Sequence, residues 1–373
     1  MDKVRIGVIG IGMMGTVYAK MLLNREIKGA ELTAVTDQQE EKRQWAKGAF
    51  GEGIDVFDSP EMLLKSERVD GVIIATPHFE HAQLAVKAFE KDLHVLCEKP
   101  AGVYTKQVRQ MNEAAAKTRA VFSIMYNQRT NPVYRKVREL VTAGELGEIK
   151  RTIWIIDWYR SQSYHDMGSW RGTWAGEGGG VLLNQDPHQL DLWQWMTSLT
   201  PVRVRAFCGF GKHYNIEVED EVTAYTEFDN GATGLFVSST GIAPETNRFE
   251  IYADRGKLVV ENNQITFYRN RIPERQFNRE WRGGFGTPEN WKCDIPVTGN
   301  ESGHRGIIEN WVEAIQYGVP LIAPGEEGIN GLALSNAMHL SEWTDDWVTF
   351  PIDEELYLKN LRDRMKTSVY KRI

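Results

Sequence analysis

The sequence has few cysteines, and their spacing suggests no pairing. Three occur in 373 residues, namely Cys97, Cys208 and Cys293. An odd and widely spaced set predicts neither a disulfide framework nor a structural zinc site. His165 has acidic neighbours, but no set of residues has the spacing of metal ligands, so no metal site is predicted. We therefore expect a reducing compartment, the cytoplasm.

Long apolar runs and an excess of basic charge are also missing. No segment reaches the roughly 20 apolar residues that a membrane-spanning helix needs. The apolar start, residues 1–10, is too short and too interrupted by glycine for a signal peptide. The net charge is −7, with acidic and basic residues mixed along the chain. This pattern argues against nucleic acid or a membrane surface as a partner.

The chain is longer than one hydrophobic core usually supports, so two domains are expected. Residues 1–126 alternate short apolar strands with helical patterns, which predicts parallel strands covered on both faces. Residues 127–373 contain longer strand-like runs joined by turns such as Asn230-Gly231, which predicts an antiparallel sheet. The fold class is therefore α/β followed by α+β. The predicted strands are 4–9, 31–36, 71–75, 93–97 and 120–125, then 148–159, 202–210, 222–229, 232–239, 248–253, 257–261 and 264–268.

A glycine-rich motif follows the first predicted strand and precedes a helical pattern. Gly10 permits a tight turn, Gly12 lets the backbone approach a pyrophosphate, and Gly15 lets helix and strand pack closely. In this context the motif binds a dinucleotide, with the phosphates at the helix N-terminus. Residues 1–126 are thus predicted to be a dinucleotide-binding domain. The motif, G-x-G-x-x-G, comprises Gly10, Ile11, Gly12, Met13, Met14 and Gly15.

Asp37 follows the second predicted strand, where an acidic residue binds the adenosine ribose hydroxyls. Its negative charge favours NAD, because the 2′-phosphate of NADP would be repelled. Lys42 and Arg43 follow closely and could offset that repulsion, so NADP stays open as the less favoured cofactor. A helix N-cap is the alternative role for Asp37.

Glu98-Lys99-Pro100 closes the apolar strand at residues 93–97. The carboxyl ends of parallel strands are where such folds bind ligands, so Lys99 is placed to reach a cofactor and a substrate. Glu98 is expected to orient Lys99 or to reach the nicotinamide ribose. The alternative is an ordinary surface lysine after a strand.

With Ala75-Thr76-Pro77 and His81, these motifs make the chain resemble the glucose–fructose oxidoreductase/inositol dehydrogenase family (Gfo/Idh/MocA). Gly178-Gly179-Gly180, followed by His188 and Asp191, is similar to the second signature of that family. The resemblance covers essentially the whole chain.

The resemblance implies an N-terminal Rossmann domain and a C-terminal domain, residues 127–373, for substrate binding and oligomerisation. It implies NAD(P)-dependent oxidation or reduction of a secondary alcohol on a sugar, cyclitol or related polyol. It also implies a homodimer or homotetramer joined through the open sheet. Thr76, Pro77, His81 and Glu98 would belong to the cofactor site, and Lys99 and His188 would lie beside the nicotinamide and the reacting carbon.

Oxidation of a secondary alcohol releases a hydride and a proton, and a positioned base must take the proton. Partial desolvation beside a cationic nicotinamide favours the neutral form of a lysine. Lys99 would then act as the base or, when charged, would bind the developing alkoxide.

Asn184 and His188 have helical i, i+4 spacing and would share a face if this segment were one helix. Most relatives with a proton-handling pair have aspartate where this chain has Asn184. Asparagine can hold an imidazole or a hydroxyl but cannot stabilise an imidazolium as a carboxylate does. The main proton role is therefore assigned to Lys99, with His188 and Asn184 as further catalytic residues. Pro187 is expected to interrupt the helical ladder locally.

Aromatic and polar residues are dense between positions 154 and 174, as suits a ligand with hydroxyl edges and apolar C–H faces. Trp154 alternates along a strand and is predicted to lie in the core. The predicted substrate contacts are Lys99, Gln128, Arg160, Tyr164, Trp174, Asn184 and His188.

The sequence thus predicts an NAD-dependent dehydrogenase acting on a sugar, cyclitol or glycoside. One alternative is a glycosidase that retains NAD and oxidises the sugar transiently. The other is a sugar- or NAD-sensing regulatory protein without turnover. An intact Lys99 and His188 count against the regulatory role.

Overall fold

The computed structural model describes residues 3–369. Helices α1 to α12 span Met13–Leu23, Glu40–Ala49, Pro60–Leu64, His81–Phe89, Thr105–Ala115, Pro132–Thr142, Gln162–Asp166, Pro187–Thr197, Glu274–Glu280, Gly303–Tyr317, Gly328–Thr344 and Glu354–Thr367. Strands β1 to β15 span Val4–Ile9, Ala30–Thr36, Asp55–Phe57, Gly71–Ile74, His94–Cys97, Phe122–Ile124, Ile149–Asp157, Pro201–Phe210, Glu219–Phe228, Thr233–Ser239, Asn247–Ala253, Gly256–Glu261, Gln264–Asn270, Asn290–Ile295 and Val348–Thr349. A π-helical turn spans Val181–Gln185, and 3₁₀ turns span His78–Glu80, Asn127–Thr130 and Gly325–Glu327.

The chain forms two compact units. The first comprises the residues up to Thr130 together with Ser302–Leu332, and the second comprises Asn131–Glu301 with the residues from Ala333 onward. The sequence predicted a second domain that runs unbroken from residue 127, and the structure differs by returning α10 to the first unit. The apolar face of α10 explains this, because Trp311 is fully buried and its indole N–H donates to the Val121 carbonyl at 3.1 Å.

The first unit contains a six-stranded sheet in the order β3-β2-β1-β4-β5-β6, and its pairs are parallel. All four residues of β4 are buried, as expected for a parallel strand covered on both faces. The prediction of a parallel α/β domain is confirmed. Strand order reverses between β1 and β4, and ligands bind at the carboxyl ends of strands at such a switch point.

The second unit contains a nine-stranded sheet in the order β14-β13-β12-β11-β7-β10-β9-β8-β15. Its pairs are antiparallel except β7 with β10, so the predicted mostly antiparallel sheet is confirmed. Trp154 is fully buried and packs on Phe249 with ring centroids 4.6 Å apart, which confirms its predicted place in the core. Asn230-Gly231 joins β9 to β10 as predicted.

The described residues contain neither a membrane-spanning helix nor a metal-ligand cluster. No helix within residues 3–369 is both long and apolar enough to cross a bilayer. The same residues contain no group of three or more histidine, cysteine or acidic side chains arranged to hold a metal ion.

Candidate active site

The glycine motif forms the turn between β1 and α1. Gly10 has a φ of +91°, a conformation that side chains rarely allow. A Cβ on Gly15 would lie 1.8 Å from the Gly10 carbonyl oxygen, so helix and strand pack too closely for any other residue. A Cβ on Gly12, by contrast, would meet no atom within 4 Å among the described residues.

The N-terminus of α1 fits a dinucleotide pyrophosphate. Gly12 is its N-cap and provides no side-chain hydrogen bond, so the first N–H groups of the helix face the space left by the missing side chain. Such N–H groups and the helix dipole favour a phosphate. The backbone of this turn can therefore hold the dinucleotide that the motif predicts.

Asp37 directly follows β2, beside this turn, and is 8% exposed. Its carboxylate accepts hydrogen bonds from the backbone N–H groups of Ile11 at 2.7 Å and Gln39 at 2.9 Å. It thus ties the glycine turn to the second strand, and Gln39 rather than Asp37 is the N-cap of α2.

Lys42 and Arg43, the two basic residues after Asp37, already have interaction partners in the protein. Lys42 Nζ lies 3.7 Å from Asp37 Oδ2, and Arg43 donates to the carbonyls of Asp37 and Gln38 at 2.8 and 2.9 Å. A 2′-phosphate would therefore meet the Asp37 carboxylate, while Lys42 is paired with that carboxylate and Arg43 is bound to backbone carbonyls. This arrangement favours NAD over NADP.

Lys99 follows β5, and Glu98 fixes its backbone. One Glu98 oxygen accepts the Lys99 N–H at 2.9 Å, and the other accepts the hydroxyl of Tyr18 on α1. Burial raises the pKa of Glu98, while the Tyr18 hydrogen bond and the Lys99 charge act in the opposite direction. Glu98 therefore holds the backbone of Lys99 in place.

Tyr18 and His304 are neighbours of Lys99 that the sequence did not indicate. The two rings lie 5.8 Å apart, and Tyr18 is fully buried. Burial lowers the pKa of His304, and the Lys99 charge lowers it further. Tyr18 lies one helical turn beyond Gly15, which is a weak signal, whereas His304 is far away in sequence and gives no local signal.

His81 links the loops that follow β4 and β5. Its ring nitrogens lie 2.8 Å from the Thr76 carbonyl oxygen and 2.7 Å from that of Pro100. Burial lowers the pKa of His81. The side chain therefore holds together the two loops that carry Thr76 and Lys99, whereas the sequence predicted it as a direct cofactor contact. Pro77 lies on the exposed part of the first loop.

The second signature does not form one continuous helix. Residues 181–185 form the π-helical turn, in which the Asp186 N–H donates to the Val181 carbonyl at 2.8 Å. Pro187 then starts α8, because a proline without an N–H is best accommodated in the first turn. Asn184 and His188 thus lie on consecutive segments, and the predicted i, i+4 face is corrected. Such π turns often occur at functional sites.

Asn184 is bound by a carboxylate that the sequence did not single out. Its amide nitrogen donates to Glu177 Oε1, and Glu177 Oε2 accepts the Gly172 N–H at 2.6 Å. Glu177 is 3% exposed, and burial raises its pKa to about 7. A lone acidic residue within Gly176–Gly180 was the available signal.

Tyr164 connects the Glu177–Asn184 pair to other residues that the sequence predicted as substrate contacts. Its hydroxyl accepts from Arg171 at 2.7 Å, from Gln185 at 3.0 Å and from the Asn184 amide at 3.4 Å. The Arg160 guanidinium lies 5.4 Å from the centre of the Tyr164 ring. The structure therefore brings Arg160, Tyr164 and Asn184 into one cluster, as their prediction as substrate contacts requires.

Trp174 lies elsewhere. It is 6% exposed and packs edge-on against His339 and Trp343, with ring centroids 5.7 and 5.5 Å away. This position in the core corrects the prediction of Trp174 as a substrate contact, because aromatic neighbours cover its ring. Gln128 is half-buried in the 3₁₀ turn at the end of the first unit.

A second buried carboxylate anchors the glycine loop. Glu219 Oε1 accepts the N–H groups of Gly180 and Leu182 at 2.9 and 3.0 Å, and Oε2 lies 2.9 Å from His339 Nε2. A Cβ on Gly180 would lie 2.0 Å from the Glu219 carbonyl oxygen. The loop before Asn184 is thus fixed by backbone contacts that only glycine permits.

Each of the two units contains a segment that matches a known protein family. Residues 4–126 match the family described as an oxidoreductase family with an NAD-binding Rossmann fold, and residues 134–259 match the GFO/IDH/MocA C-terminal domain.

Individual relatives match over nearly the whole chain. Inositol 2-dehydrogenase of Rhizobium meliloti is 23% identical over 90% of this chain and 95% of its own length. Levoglucosan dehydrogenase of Pseudarthrobacter phenanthrenivorans is 24% identical over 94% and 99%. The WlbA dehydrogenase of Bordetella pertussis, solved with NADH and UDP-GlcNAcA, has a TM-score of 0.79 at 24% identity and covers 94% of this chain and all of its own.

Proposed function

The chain belongs to the GFO/IDH/MocA family of oxidoreductases, and we propose that it transfers a hydride between NAD and a secondary hydroxyl of a sugar, cyclitol or glycoside. Its relatives include dehydrogenases named for inositol and levoglucosan. The polar cluster around Tyr164 and Asn184 supports a polyhydroxylated substrate, because amides, a guanidinium and a phenol pair well with hydroxyl groups.

The observation that carries the proposal lies within the first unit. The glycine turn follows β1, Thr76 follows β4 and Lys99 follows β5, and these are adjacent parallel strands of one sheet. Their carboxyl ends share one edge, at the point where strand order reverses. A group that can handle a proton is therefore next to a turn that can hold a dinucleotide.

NAD, when bound, supplies the hydride acceptor. The residues that would hold it are the backbone of Gly10–Gly15 at the pyrophosphate and Asp37 at the adenosine ribose. Thr76 and Pro77, on the loop after β4, are proposed further contacts. Ile11, Met13 and Met14 contribute through their backbone.

Lys99 is the proposed proton acceptor for the reacting hydroxyl. Its backbone is fixed by Glu98, which is itself held by Tyr18, so the lysine starts from a rigid position. A charged lysine would stabilise the developing alkoxide, and a neutral one would remove the proton. His188, on α8 of the second unit, is proposed as a hydrogen-bond partner of a substrate hydroxyl.

Arg160, Tyr164, Asn184 and Gln128 are proposed to bind the remaining substrate hydroxyls. The three residues of the second unit already form one hydrogen-bonded and stacked cluster. A preorganised cluster of this kind loses little side-chain entropy on binding.

A substrate screen tests the proposal. NADH formation would be followed by absorbance with NAD, and then NADP, over monosaccharides, anhydrosugars, inositols and glycosides. We expect turnover with one compound class and a preference for NAD. Glycoside cleavage without net NADH formation would support the NAD-retaining glycosidase instead. Cofactor binding without any turnover would support the regulatory protein.

We also propose a homodimer or homotetramer built on the outer face of the nine-stranded sheet. Ile155, Val237, Thr223 and Phe207 are paired in register across four strands and so share one face. Ile155 is 36% exposed and Phe207 59% exposed, and a contiguous apolar face of this kind marks an interface.

Light scattering on the Phe207→Glu variant tests the assembly. A charge at this exposed position of the sheet face should yield a smaller species than the wild type. The exposed Glu139→Gln variant on α6 is the control. A wild type that is already monomeric would contradict the proposal.

A cytoplasmic location is the last part of the proposal. Cys97, Cys208 and Cys293 are all free thiols, as expected in a reducing compartment. Fractionation of the native cells, with detection of the protein in the fraction that holds free thiol pools, tests the location.

A further inference from the structure

We infer that Glu177 is a positioning residue for the reaction: its hydrogen bond with the Asn184 amide determines which atom of Asn184 is presented to the substrate. The inference rests on the proposed dehydrogenase function and concerns the second unit alone.

The contacts of Glu177 are those of a built site. The carboxylate is 3% exposed, and its two oxygens accept from the Gly172 N–H at 2.6 Å and from Asn184 Nδ2. Arg171 Nη1 lies 3.9 Å from the same oxygen that Asn184 contacts. Burial of a carboxylate is costly unless hydrogen bonds compensate for it, and here the compensation comes partly from a predicted substrate residue.

The hydrogen bond fixes the orientation of the Asn184 side chain. A carboxylate only accepts, whereas an amide both donates and accepts. Nδ2 must therefore face Glu177, and it also lies 3.4 Å from the Tyr164 hydroxyl. Oδ1 is on the opposite side of the amide group and is a hydrogen-bond acceptor with two lone pairs. An acceptor suits the hydroxyl group of a substrate, which has one proton to donate.

The protonation state of Glu177 controls this orientation. Burial raises the pKa of Glu177 to about 7, the Arg171 charge opposes the rise, and Glu219 adds to it. The charged and titratable groups around Glu177 include Arg171 and Glu219, with His339 beside Glu219. A protonated Glu177 can donate to an acceptor, so the amide could then turn Oδ1 inward. Activity that depends on the outward Oδ1 should therefore fall as the pH drops below neutral.

A swap of the two polar groups tests the pair. In Asn184→Asp two carboxylates would face each other, so activity at about pH 8 should fall by about 10- to 100-fold, as for a lost charged hydrogen bond. In the double variant Glu177→Gln/Asn184→Asp the glutamine amide donates to the new carboxylate. Residue 184 then presents an oxygen again, and at least about tenfold of the lost activity should return.

The pH profile separates positioning from a merely structural role. The values of kcat and kcat/KM would be measured from about pH 6 to about pH 9. The proteins compared are the wild type, Glu177→Gln, Asn184→Asp and the double variant Glu177→Gln/Asn184→Asp. Glu177→Gln should lose the acid limb near neutral pH. Thermal unfolding and NADH binding verify that each variant is folded, and the exposed Glu139→Gln variant is the matched control.

Each outcome is decisive. Rescue by the double variant together with loss of the acid limb supports the inference. A Glu177→Gln variant that keeps the wild-type profile, or an Asn184→Asp variant that the second substitution does not rescue, overturns it. A wild type that oxidises no substrate overturns the proposed function, and with it the role of Glu177. That failure is recognised in the wild type before any variant is compared.

Discussion

The two units carry their polar groups in different ways. In the first unit the key features are backbone positions and strand ends: a glycine turn after β1 and Lys99 after β5. In the second unit they are side chains from several segments, with Tyr164, Arg171, Glu177 and Asn184 joined by hydrogen bonds and one ion pair. A site built from strand ends can be recognised from short sequence motifs. A site built from side chains of several segments is formed only when the chain folds.

Substitution of Gly15 should break the first kind of site most severely. In Gly15→Ala the new Cβ would lie 1.8 Å from the Gly10 carbonyl oxygen, so strand and helix must separate. Misplacement of about 1 Å can cost about 100-fold, and we expect at least that loss of NADH affinity with a lower Tm. Fluorescence titration and thermal unfolding measure both quantities.

Gly12→Ala is the matched control for this prediction. Its Cβ meets no described atom within 4 Å, so the Tm should stay near that of the wild type while NADH binding weakens. Equal unfolding temperatures for both variants would contradict the close-packing role of Gly15.

Asp37→Ala sharpens the account of cofactor choice. Removal of the carboxylate abolishes hydrogen bonds to the ribose and the repulsion of a 2′-phosphate. The ratio of kcat/KM for NAD to that for NADP should fall by about 10- to 100-fold, the range for hydrogen bonds to a charged group. Initial rates with both cofactors check this, and an unchanged ratio would show that selectivity resides elsewhere.

These first-unit features were largely predictable because each is tied to a strand end. The glycine motif, Asp37 and Lys99 each follow a strand that the pattern of apolar residues predicts. The π-helical turn at residues 181–185 was not predictable, since the same residues fit an α-helical pattern until Pro187 starts a new helix. Glu177 could not be recognised either, because its partner Asn184 is reached through a turn that only the fold defines.

Long-range packing accounts for the other differences. α10 returns to the first unit because Trp311 packs there and donates a hydrogen bond to the Val121 carbonyl, nearly two hundred positions away in sequence. Trp174 was predicted as a substrate contact because aromatic residues are frequent in sugar sites, yet its neighbours His339 and Trp343 come from α11. Composition cannot distinguish an aromatic residue of the site from one of the core.

Tyr18→Phe should have a smaller effect on the first unit. It removes the hydrogen bond that the Glu98 carboxylate accepts from Tyr18 and leaves the one that it accepts from the Lys99 N–H. We expect kcat to fall by about 2- to 10-fold with little change in NADH affinity, the range for one ordinary hydrogen bond, because Tyr18 acts on Lys99 only through Glu98. A pH profile that shifts together with kcat would support a role through Lys99, and a loss of NADH affinity alone would contradict it.

Asp186→Asn probes the buried carboxylates of the second unit. Burial raises the pKa of Asp186 to about 8, although the Trp158 indole N–H donates to it at 2.9 Å. The folded state therefore keeps a proton that the unfolded chain has lost between about pH 4 and pH 8, so this group lowers the free energy of unfolding as the pH rises.

Asparagine removes that titration and keeps the acceptor for Trp158. Urea unfolding at about pH 5 and about pH 8 should show a smaller difference for Asp186→Asn than for the wild type. Identical pH dependence in the two proteins would show that Asp186 does not titrate in this range.

The central claim is that Lys99 handles the proton while the neighbouring turn holds NAD. The most direct measurement is NADH formation by wild type and Lys99→Met with the best substrate of the screen, alongside NADH binding by both proteins. The account predicts a loss of kcat of at least about 100-fold, the scale of general-base catalysis, with NADH affinity retained within a few-fold, and no effect in the exposed Lys117→Met control. A Lys99→Met variant that oxidises the substrate at the wild-type rate would contradict it.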